Sequence, residues 1–400
     1  MSVIYKACET GYEKEKALVL ELCRFLDCRK ERLEGLLDDA LDFPWVLGQL
    51  LYNRMGGVAF FVLREQGLLG RVNREFRNAL QTAYAAGRGK TEDFLAGLDE
   101  LSRIFAGADF RYAFLKGAYL ASRYPAGLRT SNDFDVLVEP KDVTRAADRL
   151  KAAGFRQGHI RSGVFVPADR REIVASRMNR GETVPFLRET GRPHMPFAEV
   201  DINFSLDFQP RQESDALPLF LRRAEPSVVT PSGRLFTLAD GDFLLHLCAH
   251  LYKEATVYDW VRMGRDLSLY KFCDIYLFLR EMTEEQADRL AEAAAVFGLE
   301  KECAYSFAYT RRLFDIRSGA VDRLIDAVCP ADRSFMNRIV YPSEGKVFAY
   351  AMDPVDWLFC GDRRNRLREI GEDRESKESK ESGETGKAPE NKGKETTIWN

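Results

Sequence analysis

The chain has 400 residues, 45% of them hydrophobic and 30% charged, a balance that excludes a disordered or fibrous protein over most of its length. A formal net charge of −3 leaves no overall electrostatic footprint for duplex nucleic acid, which is not expected as a partner. Length alone suggests about two or three domains.

Eight cysteines (Cys8, Cys23, Cys28, Cys248, Cys273, Cys303, Cys329, Cys360) are scattered with no CxxC pair and no zinc spacing. They read as thiols in a reducing compartment. Lys6, Glu13 and Lys14 precede any long apolar run, so the basic-then-apolar order of a signal peptide is missing. No segment offers about 18 consecutive apolar residues for a membrane span. The expectation is a cytoplasmic protein with no membrane contact.

From Tyr12 to about Phe105 the apolar residues recur at three and four, predicting about four or five helices in one helical subdomain, 1–105. Near Arg111 the period changes. Tyr112 to Leu115 reads as a short strand, Ala118 to Arg123 as a helix, and Phe134 to Val138 as a second strand. Lys141 to Ala153 is an amphipathic helix stopped by Gly154. VFVPA from Val164, then RREIVASRM, then the alternating EVDINFSLDF from Glu199 read as further strands. Strands and helices alternate, so 106–232 is an α/β unit, for which the resemblance described below implies a mixed sheet. A proline-rich connection follows (Pro210, Pro218, Pro226, Pro231), and helices return in a C-terminal helical subdomain, 233–370. The tail, 371–400, holds almost nothing apolar and is expected to be disordered.

The stretch YAFLKGAYLASRYPAGLRTSNDFDVLVE, Tyr112 to Glu139, carries the chemistry. Residues two apart on a strand project to one face, so Asp133 and Asp135 point the same way. Two like charges side by side repel unless they share a cation or a proton. Hard carboxylate oxygens suit Mg²⁺ or Mn²⁺. Asp201, in the alternating EVDINF, supplies a third carboxylate if its strand lies beside that of Asp135. Three such groups can hold two metals ~4 Å apart, the arrangement used for in-line nucleotidyl displacement. Gly117 would let the backbone approach phosphates, with the following helix N-terminus adding partial positive charge. Lys116 and Arg129 would supply charge against developing oxyanions.

The segment from LKGAYLAS through NDFDVLVEPKD to KAAGF resembles the signature of an uncharacterised nucleotidyltransferase family within the DNA polymerase β-like nucleotidyltransferase superfamily. The resemblance extends more weakly from Leu41 to Arg280. It implies a nucleotidyltransferase core flanked by the two helical subdomains. Asp133, Asp135 and Asp201 become the catalytic and metal-binding residues, and Lys116, Gly117, Arg129 and Ser131 the nucleotide-binding ones. The expected reaction moves a nucleoside monophosphate from a nucleoside triphosphate to a hydroxyl of an unknown acceptor: a small molecule, a sugar, a protein or an RNA end. The alternative is a catalytically silent nucleotide-binding or regulatory module of the same fold. The chain departs from the superfamily pattern at Ala118, where active members carry Ser or Gly, and at Asn203, where family members often carry His.

His246 and His250 lie one helical turn apart, a spacing that can ligate zinc, but Leu247 stands where a metalloprotease carries Glu. They are expected to fill a polar seam between helix and core. His159 and His194 read as structural or exposed. Lys253 and Lys271 can line a phosphate cleft or simply be solvated, and Arg170, Arg171 and Arg177 form either a basic rim or an ordinary charged surface.

Overall fold

The computed structural model describes residues 11–372, apart from 39, 180, 207–215 and 362. Among the described residues five helices come first: α1 (Glu13–Leu22), α2 (Lys30–Leu36), α3 (Phe43–Tyr52), α4 (Gly56–Glu65) and α5 (Arg74–Phe105). Asn73 starts α5 by accepting the Phe76 N–H at 2.8 Å. At 32 residues α5 is ~48 Å long.

The α/β region follows: β1 (Tyr112–Phe114), α6 (Gly117–Leu120), β2 (Phe134–Val138), α7 (Val143–Ala152), β3 (Arg156–Arg161), β4 (Val164–Pro167), α8 (Arg170–Asn179), β5 (Phe186–Glu189), β6 (Phe197–Asn203), α9 (Ala216–Arg222), β7 (Glu225–Thr230) and β8 (Gly233–Thr237). These strands form an eight-stranded mixed sheet of order β4-β3-β5-β6-β2-β1-β8-β7, in which β2 runs parallel to β6 and antiparallel to β1. Gly154 follows α7 at φ +86°, the left-handed conformation its position suggested.

RREIVASRM is a helix, α8, not a strand. Asp169 decides it, because its carboxylate accepts the Glu172 N–H at 2.8 Å and caps the first turn. The sheet also continues past residue 232, since Pro226 and Pro231 of the proline-rich connection lie in the β7–β8 hairpin and β8 pairs with β1.

After the sheet come α10 (Asp240–Thr256), α11 (Tyr258–Arg262), α12 (Leu269–Leu279), α13 (Glu284–Phe297), α14 (Glu300–Leu313) and α15 (Gly319–Val328). A small antiparallel sheet of β9 (Arg338–Tyr341), β10 (Lys346–Tyr350) and β11 (Leu367–Glu372) closes the described chain, with α16 (Pro354–Leu358) between its last two strands. The expected tail thus starts inside β11 at Gly371 and Glu372, and 373–400 lie outside the described residues.

Two hydrophobic clusters hold the fold. Phe94, Leu98, Leu101 and Phe105 of α5 and Leu150 of α7 pack with Phe114, Phe134, Val136, Val200 and Ile202, covering one sheet face. The other cluster joins the N-terminal helices to α10, α12 and α14 and takes in Ala113, Leu115 and Leu137. Beyond Leu137 that second face turns polar. No single described helix is long and apolar enough to cross a membrane; α3 and α4 pass only as a pair, bent by 118°.

Candidate active site

The polar part of the second face is built by β2 and β6. In the parallel pair Asp135 lies directly opposite Asp201. Asp133 precedes β2, two residues from Asp135. Alternation along β6 buries Ala198, Val200 and Ile202 and turns Glu199, Asp201 and Asn203 the other way. Four carboxylates therefore share one face: Asp133, Asp135, Glu199 and Asp201.

Their proton affinities record the crowding. Burial and the charge of Asp135 raise the Asp133 carboxyl above the usual range. Burial, then Asp135 and Asp133, raise Asp201 well above it, and the same influences push Glu199 up to about 7.

Lys116 brings the counter-charge. It lies two residues after β1, the antiparallel neighbour of β2, and its ammonium lies 3.2 Å from Asp135. Burial works against that ammonium, but Asp135, Asp133 and Glu254 outweigh it and hold its pKa above the ordinary lysine value. The Lys116 backbone is at φ +39°, ψ −104°, an uncommon conformation for a side-chain-bearing residue. Next to it Gly117 is required by packing: a Cβ there would stand 2.6 Å from Ser131 Cβ and 2.7 Å from its Oγ. Ser131 donates its hydroxyl to Asp133 at 3.0 Å, so a hydroxyl stands beside the turn although Ala118 lacks one. Asn203 donates to Asp135 at 3.2 Å. The helix opened by Gly117 has only four residues, too short for the dipole contribution anticipated from sequence.

Residues 39–315 match the sequence profile of an uncharacterised nucleotidyltransferase family. The chain belongs to that family. Membership implies a nucleoside triphosphate as a substrate of this nucleotidyltransferase. A search of curated proteins finds no match.

The donor chemistry of this carboxylate cluster fits a hard divalent cation: carboxylate oxygens whose crowding a positive charge would relieve. Among the described residues no three His, Cys, Asp or Glu side chains converge on one ion position, so an ion here would be held by two of these carboxylates at a time. Lys116, resting on Asp135, supplies the compensating charge.

Arg129 is placed differently from the expected phosphate contact. Its Nε and Nη2 donate to Asp274 of α12 at 2.9 Å each and its Nη1 to the Thr130 carbonyl at 2.6 Å, with the guanidinium 4.8 Å from the Tyr270 ring centroid. These bonds pin the loop before Ser131 and Asp133 to the C-terminal helices.

Helix α10 presents His246, His250, Lys253 and Glu254. His250 Nε2 lies 3.1 Å from Glu254, which lies 2.7 Å from Lys271 of α12. Burial lowers the His250 pKa to about 4, Lys116 and Lys253 adding to it and Glu254 opposing. Lys253 acts electrostatically on the same groups, with Glu182, Glu254 and Asp135 among its opposite charges. Lys90 of α5 bonds Asn132 and feels Asp133.

Glu199 and Lys90 escaped the sequence reading. Glu199 was detectable, since it shares the alternating face with Asp201; Lys90 carries no local signal. His159 pairs with Glu172 at 2.6 Å, exposed His194 packs against Gly89, and Arg170, Arg171 and Arg177 are exposed along α8. The described cysteines are free thiols.

Proposed function

We propose that the protein is a metal-dependent nucleotidyltransferase that moves a nucleoside monophosphate from a nucleoside triphosphate to a hydroxyl of an acceptor. The supporting observation is the register pairing of Asp135 with Asp201, with Asp133 two residues away on the same face. Asp133, Asp135 and Asp201 would hold Mg²⁺ or Mn²⁺, which when bound supplies positive charge to the triphosphate and the departing pyrophosphate. Lys116 keeps its ammonium at neutral pH and lies within 3.2 Å of the same carboxylate, in reach of a phosphate oxygen brought there. Ser131 and Asn203 orient Asp133 and Asp135 by hydrogen bonds.

The test is label transfer from each α-labelled nucleoside triphosphate, with Mg²⁺ or Mn²⁺, into a crude metabolite and protein extract. Transfer is expected with the unaltered protein and is lost in Asp133→Asn and Asp135→Asn, both retaining the native circular dichroism spectrum. Transfer by either variant would overturn the assignment. Metal-dependent nucleotide binding without transfer would favour a silent binding or regulatory module. The Lys116–Asp135 ion pair, which already neutralises one carboxylate, is the observation on the side of that reading.

A further inference from the structure

Arg24 and Arg29 from the turn between α1 and α2, Arg280 from the end of α12, and Arg317 from the loop between α14 and α15 line one cavity of about 420 Å³. Small-molecule sites commonly have this size, but their walls are mostly apolar. This wall is mostly charged. Asp27 and Asp315 also line it, so four guanidinium groups face two carboxylates and two positive charges are in excess. Glu21, buried outside the lining, is bonded by Arg29 and lies 3.5 Å from Arg32, which offsets it. Glu281 pairs with Arg280, but its side chain is 70% exposed and the pair is screened by water and salt.

The two carboxylates are taken up by groups they already hold. Asp315 lies 3.2 Å from Arg317 and 3.1 Å from Arg29, and Asp27 accepts from Arg24 at 2.7 Å and from the Tyr276 hydroxyl. Donors remain over. Arg280 donates only through Nη2 and Arg317 only through Nε and Nη2, which leaves the Nη1 group of each without a partner among the described residues. The hydroxyl of Ser318, also in the lining, makes no capping bond to α15.

We propose that this cavity is a second binding site, for a small phosphorylated anion whose phosphate is held by Arg280, Arg317 and Ser318. The planar guanidinium fork matches phosphate oxygens, and the serine hydroxyl can donate to a further one. A phosphate dianion offsets both excess charges, whereas a single carboxylate offsets one. No lining residue comes from β2, β6 or the turn at Lys116, so the inference does not depend on the transfer reading.

The full-length protein, without divalent metal, is titrated by calorimetry with ribose 5-phosphate and separately with inorganic pyrophosphate at ~0.15 M salt. Saturable one-to-one binding of at least one probe, with Kd below about 1 mM, is expected. Tighter binding of ribose 5-phosphate points to a phosphorylated metabolite and tighter binding of pyrophosphate to an inorganic polyphosphate; both support the site. Arg317→Ala and Arg280→Gln are each expected to weaken binding by about ten-fold. Ser318→Asp keeps a good helix-capping residue while adding a negative charge to the wall, and is expected to abolish binding with the thermal transition retained. Replacing the exposed Arg170 and Arg171 of α8 by Ala should leave the affinity within about two-fold. A Kd above about 1 mM for both probes overturns the inference. So does binding that the three cavity variants leave unchanged, or an equal loss in the α8 variant, which would mark general charge attraction.

Discussion

A methyl group on Gly117 would collide with Ser131 Cβ and Oγ and come within 3.1 Å of Phe94 Cζ. Gly117→Ala is therefore expected to destabilise the fold by about 1–3 kcal/mol in urea unfolding. A loss under ~0.5 kcal/mol would mean that the turn yields freely. The collision explains why the Lys-Gly pair stands ahead of the aspartates. Glycine lets the turn after β1 press against the loop that delivers Ser131 and Asp133, and the strained Lys116 backbone carries its ammonium to Asp135. The alternation of aspartates was legible because a strand has period two. The Gly117–Ser131 contact was not, since fourteen positions and a helix separate the partners, and sequence carries no distance between them.

Among elements, the Arg129–Asp274 pair ties the loop before β2 to α12, with side chains 9% and 4% exposed. Arg129→Ala leaves a buried carboxylate uncompensated and should cost about 3–5 kcal/mol; the paired change Arg129→Met with Asp274→Leu should recover most of it. An Arg129→Ala cost below ~1 kcal/mol would refute the positioning role and return Arg129 to the phosphate contact expected from sequence. Helix α10 predicts a pH dependence. The folded-state pKa of His250 is about 4, below the ordinary histidine value, so the unfolded chain binds its proton first as pH falls. Stability from this group is complete above pH ~6.5 and declines toward pH 4 by on the order of 2 kcal/mol, with part of the side chain still exposed. Urea unfolding at pH 7 and 4.5 should show a smaller acid loss in His250→Gln. An equal loss in that variant would place the sensitivity elsewhere.

For the whole molecule, one hydrophobic cluster contains Leu18, Val58 and Leu63 from the N-terminal helices together with Leu245, Phe272 and Tyr305 from the C-terminal ones. The long α5 crosses between the two clusters, with Phe76 and Leu80 in one and Phe94 to Phe105 in the other. A fragment starting at residue 106 would expose both buried faces. It is expected to lack a cooperative thermal transition, although its sequence contains the whole carboxylate site. A native-like transition in that fragment would show that the N-terminal helices form a separable unit.

By itself the sequence determined the local features: helical periods, the alternation that puts Asp133 beside Asp135 and Glu199 beside Asp201, and the glycine that ends α7. These depend on residues a few positions apart, whose geometry the backbone period dictates. It misread RREIVASRM because the segment is short and only the Asp169 cap distinguishes helix from strand. Tertiary structure alone decided that β6 lies parallel to β2 in the register that sets Asp201 against Asp135. It also turned Arg129 to Asp274, on a helix more than a hundred residues away. Those pairings come from burying two sheet faces against helices distant in the chain, a global packing outcome that no local pattern encodes.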